Sequence, residues 1–334
     1  MSVRSGRLLN RLCLAVCFVG FLSLSTFAAN KEAVLDPKEA DEDYAFQGEY
    51  SGTIAEEGAD VKLGVQVIAL GDGKFRAVGY PGGLPGDGWE GENKVEVEAT
   101  RSGNEVVFTK GDGPNGVLFD GKLVVERPNG TVMGTLKKVH RKSATLGEKP
   151  PEGAIVLYGG KDDVKNWKNG KVSEDGWLMQ GTQSKQTFQD HTLHLEFYLS
   201  YMPHARGQAR SNSGCYLQGR YEVQILDSFG LTGENNECGG IYTVSNPSVN
   251  MCYPPLTWQT YDIDFTAPKF DEDGNKTANA MMTVRHNGVL IQKDVEIPGP
   301  TRAAPNQENA DAGPVYIQNH GNPLRFRNIW VLER

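Results

Sequence analysis

The chain has 334 residues, 38% of them hydrophobic and 23% charged, with a formal net charge of −8. That length and apolar content suit two domains with cores of their own and exclude a disordered chain. An acidic balance without any block of Lys and Arg disfavours nucleic acid and anionic membrane as partners and leaves neutral ligands, sugars above all.

Residues 1–28 read as a secretory signal. Arg4, Arg7 and Arg11 precede the apolar run Leu12 to Leu24, and mostly small residues follow up to Ala29. The run is too short to remain as a membrane span. An exported protein is expected, periplasmic or extracellular, with no membrane contact once the signal is removed. Loss of those three arginines leaves 31 basic residues against 42 acidic, a charge of −11. Residues 29–43 are acidic and irregular, a flexible lead-in.

Residues 44–140 alternate short strands with tight turns. Gly71-Asp72-Gly73, Gly103-Asn104 and Asn129-Gly130 are hairpin signals, and no stretch carries a sustained helical period. A small all-β domain, barrel or sandwich, is predicted. Within it, Gly82 to Trp89 is a glycine-rich loop whose tryptophan offers a face for stacking on a sugar ring, although a loop pinned by that one aromatic is the favoured reading. Residues 141–152 contain Pro150-Pro151 and read as a linker. Residues 153–334 hold a second set of strands, including Thr192–Ser200, Gly214–Leu226, Gln259–Phe265 and Leu324–Leu332, with His286-Asn287-Gly288 as a hairpin turn. An antiparallel sandwich of jelly-roll type is predicted, so the whole chain is all-β.

Cys13 and Cys17 leave with the signal. Cys238 and Cys252 flank a loop rich in Asn, Ser, Gly and Pro, and in an oxidising compartment they are expected to pair. Such a closure is worth roughly 3 kcal/mol in the chain-entropy model. Cys215 enters an apolar strand and reads as a buried, inert thiol.

Three strands place polar residues on one face. Read as a single strand, residues 216–228 put Leu217, Tyr221, Val223 and Ile225 in a core and Gln218, Arg220, Glu222 and Gln224 on the other side. Thr192 to Leu199 sets His194, Glu196 and Tyr198 against a leucine face, and Thr260, Asp262 and Asp264 repeat the design. Together they predict one shared polar face. Asn212, before the first of these strands, and Asn319-His320 between the last two are loop candidates, with Arg325 following. A histidine at a strand end suits proton transfer near neutral pH. Asp271 to Asn275 lacks the spacing of a calcium loop and reads as an acidic turn. No zinc spacing, phosphate loop, dinucleotide fingerprint or nucleophile elbow is present, which leaves acid–base work by carboxylates and histidines.

At Leu157-Tyr158-Gly159-Gly160, Asn212-Ser213-Gly214, the run Gln218 to Ser228, Trp258 to Asp262 and His320 to Trp330, the second domain resembles the 3-keto-disaccharide hydrolase domain family. The resemblance covers about residues 152–334 and implies a concanavalin A-like lectin/glucanase sandwich. Laminarinase-like glucanases of that fold carry Glu-x-Asp-x-x-Glu on a cleft strand. Here the matching positions are Glu222, Gln224 and Asp227, so the middle acid is lost and a two-carboxylate retaining mechanism fits poorly.

The chemistry implied by the family is acid–base elimination from a 3-keto-glycoside, followed by hydration. Glu222 or His194 would be the base and His320 the acid. Arg220, with Gln218 and Gln224, would orient the substrate and stabilise the enolate. Glu196 and Asp227 would tune these groups or hold a divalent cation such as calcium; no other cofactor is expected. Tyr198, Asn212, Asn319 and Arg325 complete the expected contacts to an oxidised glycoside substrate. A non-catalytic carbohydrate-binding protein and a conventional glucanase are the competing readings.

Overall fold

The computed structural model describes residues 33–334, so the signal segment and its two cysteines lie outside the described residues. The all-β expectation holds. Strands β1 (Gly48–Glu56), β2 (Ala59–Gly71) and β3 (Lys74–Pro81) open the first domain. Two-residue β4 (Leu84–Pro85) and β5 (Gly88–Trp89) pair within the glycine-rich loop. Then follow β6 (Val95–Ser102), β7 (Glu105–Phe108), β8 (Asn115–Phe119), β9 (Lys122–Glu126) and β10 (Val132–Val139). Apart from β4 and β5, each strand pairs with the next, and β10 returns to β1 to close an eight-stranded barrel. Closure leaves no sheet edge exposed. Tyr50, Val67, Phe75, Leu118 and Leu136 fill its interior. Trp89 packs edge-on against Tyr80 with centroids 5.0 Å apart, so the loop is pinned as predicted.

The second domain is a two-sheet antiparallel sandwich. One sheet has the order β11-β23-β14-β17-β20-β21, from β11 (Ile155–Tyr158), β14 (His191–Tyr198), β17 (Trp258–Thr266), β20 (Ala280–His286), β21 (Val289–Ile297) and β23 (Arg325–Glu333). The other runs β12-β13-β22-β15-β16, from β12 (Trp167–Lys168), β13 (Thr182–Phe188), β15 (Ser213–Leu217), β16 (Tyr221–Ile225) and β22 (Gly313–Ile317). Short β18 (Lys269–Phe270) and β19 (Lys276–Ala278) pair around the acidic turn, whose Asp271 carboxylate accepts from the Asn275 backbone N–H at 2.8 Å. Leucine and aromatic faces of the two large sheets meet in one core, where Leu193, Leu195 and Phe197 join Leu217, Tyr221 and Val223.

Two sequence expectations change here. Residues 213–225 form a hairpin rather than one strand. Gln218 and Gly219 take φ of 55° and 63°, and the Arg220 N–H donates to the Leu217 carbonyl at 3.0 Å. Gln-Gly serves as the turn where Asn-Gly is the usual signal. Moreover, β16 and β14 belong to different sheets whose apolar sides face each other. Their polar faces therefore point apart, and no single face is shared.

The two domains are packed together. Ile68, Val78 and Tyr80 of the barrel join the sandwich core. The 141–152 segment docks as well: Arg141 bonds Glu49 at 2.7 Å, Thr145 bonds Asp262 at 2.7 Å, and the Gly147 N–H bonds Glu196 at 2.6 Å.

The expected disulfide is absent. Cys238 and Cys252 are neighbouring free thiols, both buried. The Cys238 sulfur lies 3.1 Å from the Tyr261 hydroxyl, and the Cys252 thiol points to the Leu226 carbonyl at 3.6 Å. Cys215 is fully buried, and burial followed by the nearby Glu222 charge pushes its thiol up to about 12.

Candidate active site

The β15–β16 hairpin sets Tyr216 opposite Glu222 and Gly214 opposite Gln224. All lie in the five-stranded sheet, with Tyr216, Glu222 and Gln224 turned away from the core into a cavity of about 330 Å³. Glycine at 214 makes room for this placement, because a Cβ there would overlap the Glu222 carboxyl and displace it. The carboxyl is only 2% exposed. Tyr216 donates to its Oε2 at 2.7 Å, and Gln318 in turn donates to the Tyr216 hydroxyl at 3.1 Å. With its amide nitrogen turned inward, Gln224 donates to Oε1 at 2.9 Å and to the Ser213 carbonyl at 2.8 Å.

Burial dominates the titration of Glu222. Desolvation raises it to about 8, against the opposing Tyr216 hydrogen bond. Taking a carboxylate out of water disfavours its charged form, which makes the remaining carboxylate a stronger base.

Loops supply the cavity rim. Gln318 N–H bonds the Gly214 carbonyl at 2.9 Å and Asn212 N–H bonds Asn322 Oδ1 at 2.9 Å, which ties the 318–322 loop to β15 and carries His320 to the rim. On the other side, Thr301 Oγ1 accepts from the Glu222 N–H at 3.0 Å, and its exposed neighbour Arg302 reaches the rim. Tyr242 closes the end, held by its N–H on the Glu222 carbonyl at 3.2 Å.

Of the predicted residues, Glu222, Gln224, Asn212 and His320 converge on this cavity. The others do not. Gln218 and Arg220 sit at the hairpin turn, where Arg220 holds the carbonyls of Gln307 at 2.8 Å and Asp311 at 3.0 Å. Asp227 is bound to Arg210 at 2.7 Å and faces a separate interdomain cavity. His194 and Glu196 lie on the outer face of the six-stranded sheet under the 141–152 segment. Tyr198 packs on Trp258, and Arg325 lies across from it on β23. Asn319 turns back on its own loop, accepting from the Gly321 N–H at 3.0 Å.

His194 makes a second polar cluster. Its Nδ1 lies 2.6 Å from Asp262 and its ring stacks on Trp330. Burial would lower His194, but hydrogen bonds to Asp262 and Glu196 outweigh it and hold the imidazolium at about 9. Glu196, also raised by burial, is drawn down to about 2 by His194, Asn328, Arg327 and the Gly147 N–H. Glu148, His194 and Asp262 offer ligand atoms within 4.8 Å of one another, a geometry that could accept a divalent cation. The ring nitrogens, however, are already partnered, Nδ1 by Asp262 at 2.6 Å and Nε2 by Glu196 at 3.8 Å. Their arrangement fits an interdomain lock better than a metal.

Tyr216, Gln208, Tyr242, Arg302 and Gln318 were not anticipated. Recognising Gln218-Gly219 as a turn would have put Tyr216 beside Glu222; the others come from loops with no local signal.

Residues 153–332 match the 3-keto-alpha-glucoside-1,2-lyase-like domain. The chain belongs to this family. No curated protein matches it. Among solved structures, it is similar to a candidate glycosyl hydrolase of Parabacteroides distasonis ATCC 8503, with 37% identity over 55% of this chain and 85% of that one and a TM-score of 0.49. A second candidate glycosyl hydrolase of the same organism shows 18% identity over 55% of this chain and 95% of that one, with a TM-score of 0.39. Membership identifies the sandwich as a carbohydrate-active, hydrolase-like domain. The barrel lies outside the matched residues.

Proposed function

We propose that the protein is an exported enzyme that cleaves 3-keto-glycosides by elimination and hydration, with Glu222 as the base. The observation that carries this reading is the composition of the cavity. Among its described lining residues Glu222 is the one carboxyl, accompanied by the His320 imidazole and the Arg302 guanidinium. Conventional glycosidases use two carboxyl groups across the scissile bond. One base, one acid and one cation are instead what elimination needs.

A ketone at C3 acidifies the C2 hydrogen. Glu222 takes that proton, and the C–H pair passes through an enolate stabilised by Arg302. The pair then forms the C1–C2 double bond while the C1–oxygen bond breaks, and His320 protonates the departing oxygen. Addition of water across the double bond gives net hydrolysis. Incubation with a 3-keto-disaccharide beside its unoxidised parent tests this. Cleavage of the oxidised sugar alone, lost in Glu222→Gln with the fold retained, is expected; cleavage of both sugars, or an active E222Q protein, would overturn the assignment.

A further inference from the structure

A second polar cavity, of about 240 Å³, lies at the junction of barrel and sandwich. Arg76 of β3 reaches it from one side, and Arg206 and Arg210 from the other. It is separate from the Glu222 cavity. The 206–212 turn divides them, with Arg206 and Arg210 facing one side and Gln208 and Asn212 the other.

The charges here are unbalanced. Arg210 is 5% exposed and spends its Nε on Asp227, while its Nη2 has only the Ala69 carbonyl at 3.5 Å. Arg206 is held by the carbonyls of Pro203 at 2.6 Å, Ala205 at 2.8 Å and Leu70 at 2.7 Å, which orient the guanidinium without neutralising it. Arg76 Nε is buried and has no hydrogen-bond partner among the described residues. Asp227 pairs with Arg210, and Glu98, exposed at the edge and opposite Arg76 in the β3–β6 register, is the other carboxylate, so two carboxylates answer three cations. Burial, then Arg210 and Arg76, lowers the pKa of Arg206 against the opposing charge of Glu98, as expected where like charges are brought together. A buried donor with nothing to donate to is costly, and three guanidiniums in an acidic protein are not there by bulk composition.

We propose that this cavity binds a small oxyanion, a carboxylate, sulfate or phosphate group, clamped between Arg76 of the barrel and Arg206 and Arg210 of the sandwich. Guanidinium forks match the geometry of such groups. The volume equals that of about eight liquid waters, enough for an anion of five heavy atoms or an acidic sugar's carboxylate end. Because its ligands come from both domains, the bound anion would staple them together.

The test uses the full chain, titrated by calorimetry and thermal unfolding with sulfate, phosphate and D-glucuronate, each against chloride at equal ionic strength. Saturable binding with a rise in Tm of several degrees is expected. Arg76→Gln and Arg206→Gln should each weaken it at least tenfold, while Arg127→Gln, on an exposed turn, should leave it unchanged. Tighter binding of glucuronate assigns the site to an acidic sugar, and equal or tighter binding of sulfate or phosphate assigns it to the free ion. Absence of any effect beyond chloride, or binding that survives R206Q intact, would overturn the proposal. Arg206 is exposed, so that arm holds even if R76Q folds poorly.

Discussion

The Glu222 carboxyl occupies the space above Gly214 that any other residue would fill with its own Cβ. Gly214 faces Gln224 across the β15–β16 hairpin, two residues along from the Tyr216–Glu222 pair, so a side chain at 214 would push the carboxyl off Tyr216 and Gln224. Gly214→Ala should therefore cut turnover at least 100-fold, comparable to misplacing a catalytic group by about 1 Å. An unchanged circular dichroism spectrum beside the kinetics would separate this from unfolding.

The pH profile follows from the same carboxyl. A base must be ionised to accept a proton, so the rate should rise with pH and level off above about 8, the value to which burial pushes Glu222. Tyr216→Phe removes the hydrogen bond that opposes that rise. Such bonds to charged groups are worth about 1.5–3 kcal/mol, so the ascending limb should move to higher pH in Y216F. A limb that stays in place would detach Tyr216 from the titration.

The His194–Asp262 pair makes a prediction about stability. His194 holds its proton to about 9 when folded against 6.5 ordinarily, so its contribution is complete below pH 6.5 and is lost as pH rises through 9. Glu196, drawn down to about 2, contributes above its ordinary 4.5 and loses that as pH falls toward 2. Glu222 also makes stability fall with rising pH, between 4.5 and 8, so the measurement belongs in an E222Q background. There, thermal unfolding should drop between pH 6.5 and 9, and adding Asp262→Asn should shrink that drop while costing about 3 kcal/mol at neutral pH.

Arg220 is expected to be structural. It ties the hairpin turn to carbonyls of the 307–311 segment. Arg220→Ala should lower stability by about 2–4 kcal/mol, and lysine should not rescue it, since one ammonium cannot span the same acceptors. Substrate KM in the surviving folded fraction should stay near wild type; a large rise would return Arg220 to the site.

Strand patterning by itself determined the all-β class, the turns of the barrel and the set of polar residues, Glu222 among them, that stand opposite the apolar face of residues 216–228. Alternation with period two is a local property, and Gly103-Asn104 or Asn129-Gly130 carry their turn chemistry with them. What only the tertiary structure decided was which polar faces meet. His194 and Glu222 each stand opposite an apolar face, and nothing within either strand says that those faces pack against each other and send the two side chains to opposite sides of the sandwich. Asp227 has the right spacing from Glu222 along the chain, yet Arg210 draws it into a different cavity. Arg302, Tyr242 and His320 reach Glu222 from loops far apart in the sequence, because loop ends are placed by the sheets they connect. The acidic composition left a neutral ligand open; the fold put a single, desolvated carboxyl among the described residues that line one cavity of the sandwich.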